Sequence, residues 1–211
     1  MRSTLRFPLN YLCLPIVLLS YFASIGSCGI IWDEFTAQGD LSGVNTSPTP
    51  LTLSGGSNIV RGFTTNSPLD RDFFTVGVGP GQFLDSITLN AFSPAVSSSS
   101  FFAVQSGSQV TSISSSTALL GSALVSTSLV GTDVLDNLGV ATLPGFGKQG
   151  IGFTGPLGPG TYTFWFQETN TNINNYEFNL NVSPIPEPGS LMLLTVGLIV
   201  SGKVFGRKRR K

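Results

Sequence analysis

The chain reads as all-β: a single antiparallel β-sandwich, with the jelly roll as one topology open to it, between an N-terminal signal peptide and a C-terminal transmembrane helix. Three observations predict this. Residues 28–182 alternate apolar and polar positions with almost no helical periodicity. Glycine and proline turns break them into short runs, the chain holding 25 glycines and 13 prolines in 211 residues. At most one thiol survives in that body, so no internal disulfide forms and stability must come from one apolar core, for which the length suffices.

At the N-terminus Arg2 and Arg6 precede an apolar stretch, 12–23, that gives way to Ser24, Gly26, Ser27 and Gly29. Basic, apolar and small-residue zones in that order are a secretory signal peptide, residues 1–27, removed from the mature protein. Ile25-Gly26-Ser27-Cys28 also resembles the lipobox of bacterial lipoproteins, which implies lipidation of Cys28 as the alternative to plain cleavage.

In the body, 51–53 and 59–63 are short strands separated by Ser54-Gly55-Gly56. The runs 72–78 and 83–92, joined by Gly79-Pro80-Gly81, are expected to form a hairpin with Phe83, Ile87, Leu89 and Ala91 on one face. The stretch 94–130 is rich in serine and threonine but interrupted by apolar residues, and reads as strands with hydroxyl-bearing outer faces; 118–130 also admits one short helix. The segments 149–154, 161–168 and 176–182 are expected to form an antiparallel meander. In the last of them Tyr176, Phe178, Leu180 and Val182 face a core while Glu177, Asn179 and Asn181 face water.

The formal charge is zero, yet between Cys28 and Pro188 eleven acids stand against Arg61, Arg71 and Lys148, a balance of eight negative charges. An anionic body repels nucleic acid and has no stripe of bases to neutralise phosphates. The chain has no histidine, which removes Ser-His-Asp and Cys-His catalysis and histidine-ligated metals. Glu168 and Glu177 flank one strand connection, as an acid/base pair would, but also read as solvated strand ends. No enzyme activity and no cofactor are expected. Asp70 and Asp72, two apart at a strand entrance, are candidate calcium ligands, although no complete calcium loop surrounds them, and turn capping is the plainer reading. Alternation sends Tyr162, Phe164 and Phe166 to the core and Trp165 outward, which makes Trp165 the candidate platform for stacking a sugar.

The C-terminus closes with three parts. Pro184, Pro186 and Pro188 stiffen a spacer, residues 183–189. An apolar run follows at 190–206, near the lower length for crossing a bilayer, with Lys203 close enough to the end to snorkel. Arg207, Lys208, Arg209, Arg210 and Lys211 then hold that end on the cytoplasmic side.

These parts, Pro186-Glu187-Pro188, apolar helix and basic cluster, resemble the PEP-CTERM sorting signal of exported bacterial proteins. The resemblance implies recognition and processing by exosortase, a membrane-embedded cysteine protease, with sorting to the cell surface or extracellular matrix. It also implies the membrane and extracellular polysaccharide as partners; a carbohydrate-binding surface module is the alternative role for the body. Within the body, Asp70-Arg71-Asp72-Phe73-Phe74, Gly79-Pro80-Gly81 and Gly160-Thr161-Tyr162 resemble the pattern of bacterial pre-peptidase C-terminal domains. That likeness implies a small sandwich, some relatives of which bind calcium near the paired aspartates.

Overall fold

A computed structural model describes residues 29–93, 99–140, 142–143, 147–148 and 150–185. In chain order the strands are β1 (Gly29–Asp33), β2 (Thr49–Leu51), β3 (Gly56–Thr65), β4 (Arg71–Val78), β5 (Gln82–Ser93), β6 (Ser100–Ser106), β7 (Gly121–Val125), β8 (Thr142–Leu143), β9 (Gly147–Lys148), β10 (Gly160–Glu168) and β11 (Ile173–Pro184). A 3₁₀ turn at Thr127–Leu129 and one short helix, α1 (Leu135–Val140), complete them. Four strands form one sheet in the order β1-β3-β11-β5, and five form another in the order β2-β4-β10-β6-β7. β8 and β9 form a third, two-stranded sheet, with β8 beside β7.

The two sheets share one core. Tyr176, Phe178, Leu180 and Val182 of β11 are buried, as the alternation predicts, and Phe102 of β6 stacks on Phe178 with ring centroids 4.6 Å apart. Each such side chain removed from water stabilises the fold by about 1.5–3 kcal/mol. The strands with the clearest pattern are also the central ones. β10 pairs antiparallel with β4 and β6, and β11 with β3 and β5. One edge of each sheet belongs to a short strand with little alternation, β1 and β2, each running parallel to its neighbour; β5 and β7 form the other edges, antiparallel to theirs.

Pairing differs from expectation in two places. The runs around Gly79-Pro80-Gly81 are not a hairpin: β4 belongs to the five-stranded sheet and β5 to the four-stranded one. Likewise β10 and β11 lie in different sheets, and 150–154 carry no strand, so no meander forms. A short turn in a sandwich either closes a hairpin or carries the chain across the core; local alternation is the same for both. The inward face of β5 also shifts. Two register irregularities opposite β11 turn Leu84, Ile87, Leu89 and Phe92 inward and leave Ala91 exposed, because each extra residue reverses the alternation beyond it.

Residues 118–130 hold β7 and the 3₁₀ turn rather than a longer helix. At the C-terminal end β11 continues through Pro184, and the Ile185 N–H donates to the Gly81 carbonyl at 2.7 Å, so the residues at 183–185 extend the body.

Candidate functional site

At the end of β1 a side chain takes over the work of a strand. The Glu34 N–H still donates to the Arg61 carbonyl of β3, at 3.1 Å. Its carboxylate then accepts the next free N–H of β3, from Phe63 to Oε2 at 2.9 Å, and the Leu41 N–H to Oε1 at 2.8 Å. Gly62 makes this possible: a Cβ there would run into the Glu34 carboxylate and come within 2.9 Å of the Tyr176 hydroxyl. Asp33, one residue earlier, holds Arg61 in a salt bridge of 2.6 Å.

Asp72 points inward from β4 and is fully buried. Its Oδ2 accepts a hydrogen bond from the Tyr176 hydroxyl of β11 at 2.7 Å, a link from one sheet to the other. Its Oδ1 is buried and has no hydrogen-bond partner. One carboxylate oxygen each of Glu34, Asp40 and Asp72 lie within 4.8 Å of one another, Asp40 on the exposed side. Asp70 stands near enough to act on Glu34 and Asp72 through its charge.

Four acids therefore converge on one corner of the core. Among the described residues no base pairs with any of them; Arg61 is held by Asp33, and Arg71 donates to Gln167 at 2.7 Å. Burial, reinforced by the charges of Asp40 and Asp70, raises the Glu34 carboxyl to about 7 despite its two N–H donors. Burial and then Asp40 raise Asp70 to about 6. Asp72 is pushed well above the usual carboxylate range, first by burial and next by Glu34, and the Tyr176 hydroxyl is pushed up by burial and by Asp72. Taking charge out of water disfavours the ionised form, and a like charge adds to the penalty. Such a corner is stabilised by protons or by a cation.

The structure sorts the residues singled out in the sequence. Asp72 is in the cluster and Asp70 beside it, whereas Glu34 and Asp40 come from a stretch in which the sequence pattern predicts no element. Trp165 faces outward as expected but is covered. Its ring lies 5.6 Å from Phe73 and 4.7 Å from Phe101, and Val110 and Leu119 fold back over that face, leaving it 7% exposed. It offers no open face to a sugar. Among the described residues the exposed aromatic ring is Phe35, beside a shallow hollow of about 270 Å³ on the outer face of the four-stranded sheet, bordered by Arg61, Asn175 and Glu177. Glu168 and Glu177 do not converge: Glu168 is buried between the sheets, and Glu177 lies on an outer face, bonded by Asn90 at 3.0 Å.

Cys28, Pro186, Glu187, Pro188 and the basic residues 207–211 lie outside the described residues, as do 1–27 and 190–206. Among the described residues no helix is long and apolar enough to cross a membrane. What the terminal segment is follows from comparison with known families. Residues 184–211 match the PEP-CTERM protein-sorting motif. A PEP-CTERM motif indicates export and sorting by way of exosortase, a membrane protease, to the cell surface. The match begins at the last residue of β11, so the sorting motif follows directly from a central strand. No curated protein and no solved structure matches the chain.

Proposed function

We propose that this chain is a non-enzymatic protein of the cell surface or extracellular matrix, carried out by a signal peptide, anchored by its C-terminal helix and processed there as a substrate of an exosortase-type membrane protease. The observation that carries the reading is the PEP-CTERM match over 184–211, whose three parts stand in order at the end of the chain. In this reading Pro186, Glu187 and Pro188 hold an extended segment at the membrane surface, the apolar run docks in the bilayer, and Arg207 to Lys211 fix orientation. The body is the cargo. Its strand order supports a jelly roll: β4-β10-β6-β7 in one sheet faces β3-β11-β5 in the other, and chain-consecutive β3, β4, β5 and β6 alternate between them.

Removing residues 186–211 tests this. The truncated protein is expected to lose its surface destination and the mass change of maturation together, read by cell fractionation and intact-mass measurement. Unchanged destination and unchanged maturation would overturn the reading.

A further inference from the structure

The corner built by Glu34, Asp40 and Asp72 has two independent properties of a cation site. The first is convergence: three carboxylate oxygens from two separate stretches of chain lie within 4.8 Å of one another. The second is Asp72 itself, whose side chain is fully buried while its Oδ1 lacks any hydrogen-bond donor. A buried carboxylate oxygen with nothing to accept from is costly, and a core has little use for one. Tyr176 occupies the other oxygen of Asp72, and two backbone N–H groups hold the Glu34 carboxylate in place. The group is pre-organised without being saturated.

We propose that Glu34, Asp40 and Asp72 bind a calcium ion that staples the segment after β1 to β4. The donor set selects the chemistry. All three ligands are carboxylates, the chain has no histidine, and no thiol lies among the described residues, so a hard cation is preferred to zinc or copper. Coordination favours calcium: at Ca–O distances of about 2.3–2.6 Å its flexible shell takes in oxygens up to about 4.6–5.2 Å apart, which covers a cluster within 4.8 Å, whereas magnesium demands near-ideal octahedral geometry. Asp40, on the solvent side, leaves the remaining positions to water.

The mechanical consequence follows from the connections. Residues 34–42 cross from the four-stranded sheet to the five-stranded one, where Ser42 bridges to Phe73 of β4. An ion held by Glu34 and Asp40 on one side and Asp72 on the other closes that crossing. Calcium sites of extracellular modules have Kd on the order of 10⁻⁴–10⁻³ M, so this one fills where calcium is abundant. Binding itself does not depend on the sorting signal, and failure here would leave the reading of the tail untouched.

The full chain, purified in detergent and depleted of divalent ions, is titrated with calcium alone and followed by melting temperature. Terbium luminescence sensitised by Tyr176 reports occupancy directly. At calcium a hundredfold above Kd the melting temperature should rise by roughly 5–10 °C. Asp72→Asn, near-isosteric in the core, should abolish the rise, and Asp40→Asn, on the surface and harmless to folding, should raise the calcium midpoint at least tenfold. Asp85→Asn, on β5, should leave both unchanged. No calcium response in the wild type overturns the proposal, as does an Asp40→Asn response with an unmoved midpoint, or an equal rise with magnesium.

Discussion

Two carboxylates are fully buried on the inner side of the five-stranded sheet, Glu168 at the end of β10 and Asp72 near the start of β4, and their surroundings differ in kind. Glu168 is answered by the fold: the Ser100 hydroxyl donates to it at 2.9 Å, and the N–H groups of Thr169 and Asn170 at 2.9 and 2.6 Å. It caps the turn between the two central strands. Asp72 receives one hydroxyl from Tyr176, has an orphaned second oxygen, and faces further acids in place of donors. The difference separates two uses of a buried charge. Where local donors satisfy it, the charge is part of the architecture; where they do not, a proton or a cation has to complete it.

The largest effect that would break this contrast is at Glu168. Glu168→Ala strands a buried hydroxyl and two N–H groups and is expected to cost about 3 kcal/mol or more, by denaturant titration, with the same loss in calcium and without it. Glu168→Gln, which keeps an acceptor oxygen, should recover much of that. A loss below about 1 kcal/mol for the alanine variant would mean the cap is not structural.

Gly62 sharpens the contrast from the other side. A methyl group at this position meets the Glu34 carboxylate, so Gly62→Ala must push it off the Phe63 and Leu41 N–H groups. Overpacking of this kind costs about 1–3 kcal/mol, and the calcium response should weaken with it. Gly77→Ala on β4, where a Cβ meets nothing within 4 Å, is the matched control and should change neither.

Much of the architecture was legible from residue order because alternation is a local signal. The buried faces of β10 and β11 follow directly from it. Partner choice was not, since Gly79-Pro80-Gly81 reads the same whether the chain doubles back or crosses the core. The face of β5 was misplaced by register shifts that only β11, opposite it, makes visible. Trp165 shows a related limit: alternation gives its side correctly, but its cover comes from Val110 and Leu119, far along the chain. Half of the acidic corner was in view as Asp70 and Asp72. Glu34 and Asp40 were hidden because their role depends on a strand ending at Asp33 and on the missing side chain of Gly62, both properties of the assembled sheet.

The smallest effect is a titration of the acidic corner, and its sign tests the burial of the acids there. In the calcium-free protein burial lifts Glu34 from 4.5 to about 7 and Asp70 from 3.8 to about 6, and lifts Asp72 further. In the unfolded chain these groups ionise near their ordinary values, so as pH rises the unfolded state releases protons that the folded state retains. Their contribution is therefore fully present below the ordinary values and is lost as pH climbs through the raised ones. Asp33 works in the opposite sense, since its hydrogen bond with Arg61 lowers it, but its window lies below 3.8. Between pH 5 and pH 8 the melting temperature of the calcium-free protein should accordingly fall. Saturating calcium favours the ionised carboxylates and should flatten that fall, whereas Asp72→Asn should reduce it with no calcium present. A calcium-free profile that is level or rising across this range would mean that the acids at this corner are better solvated than their burial implies, and that Asp72 needs no counter-ion.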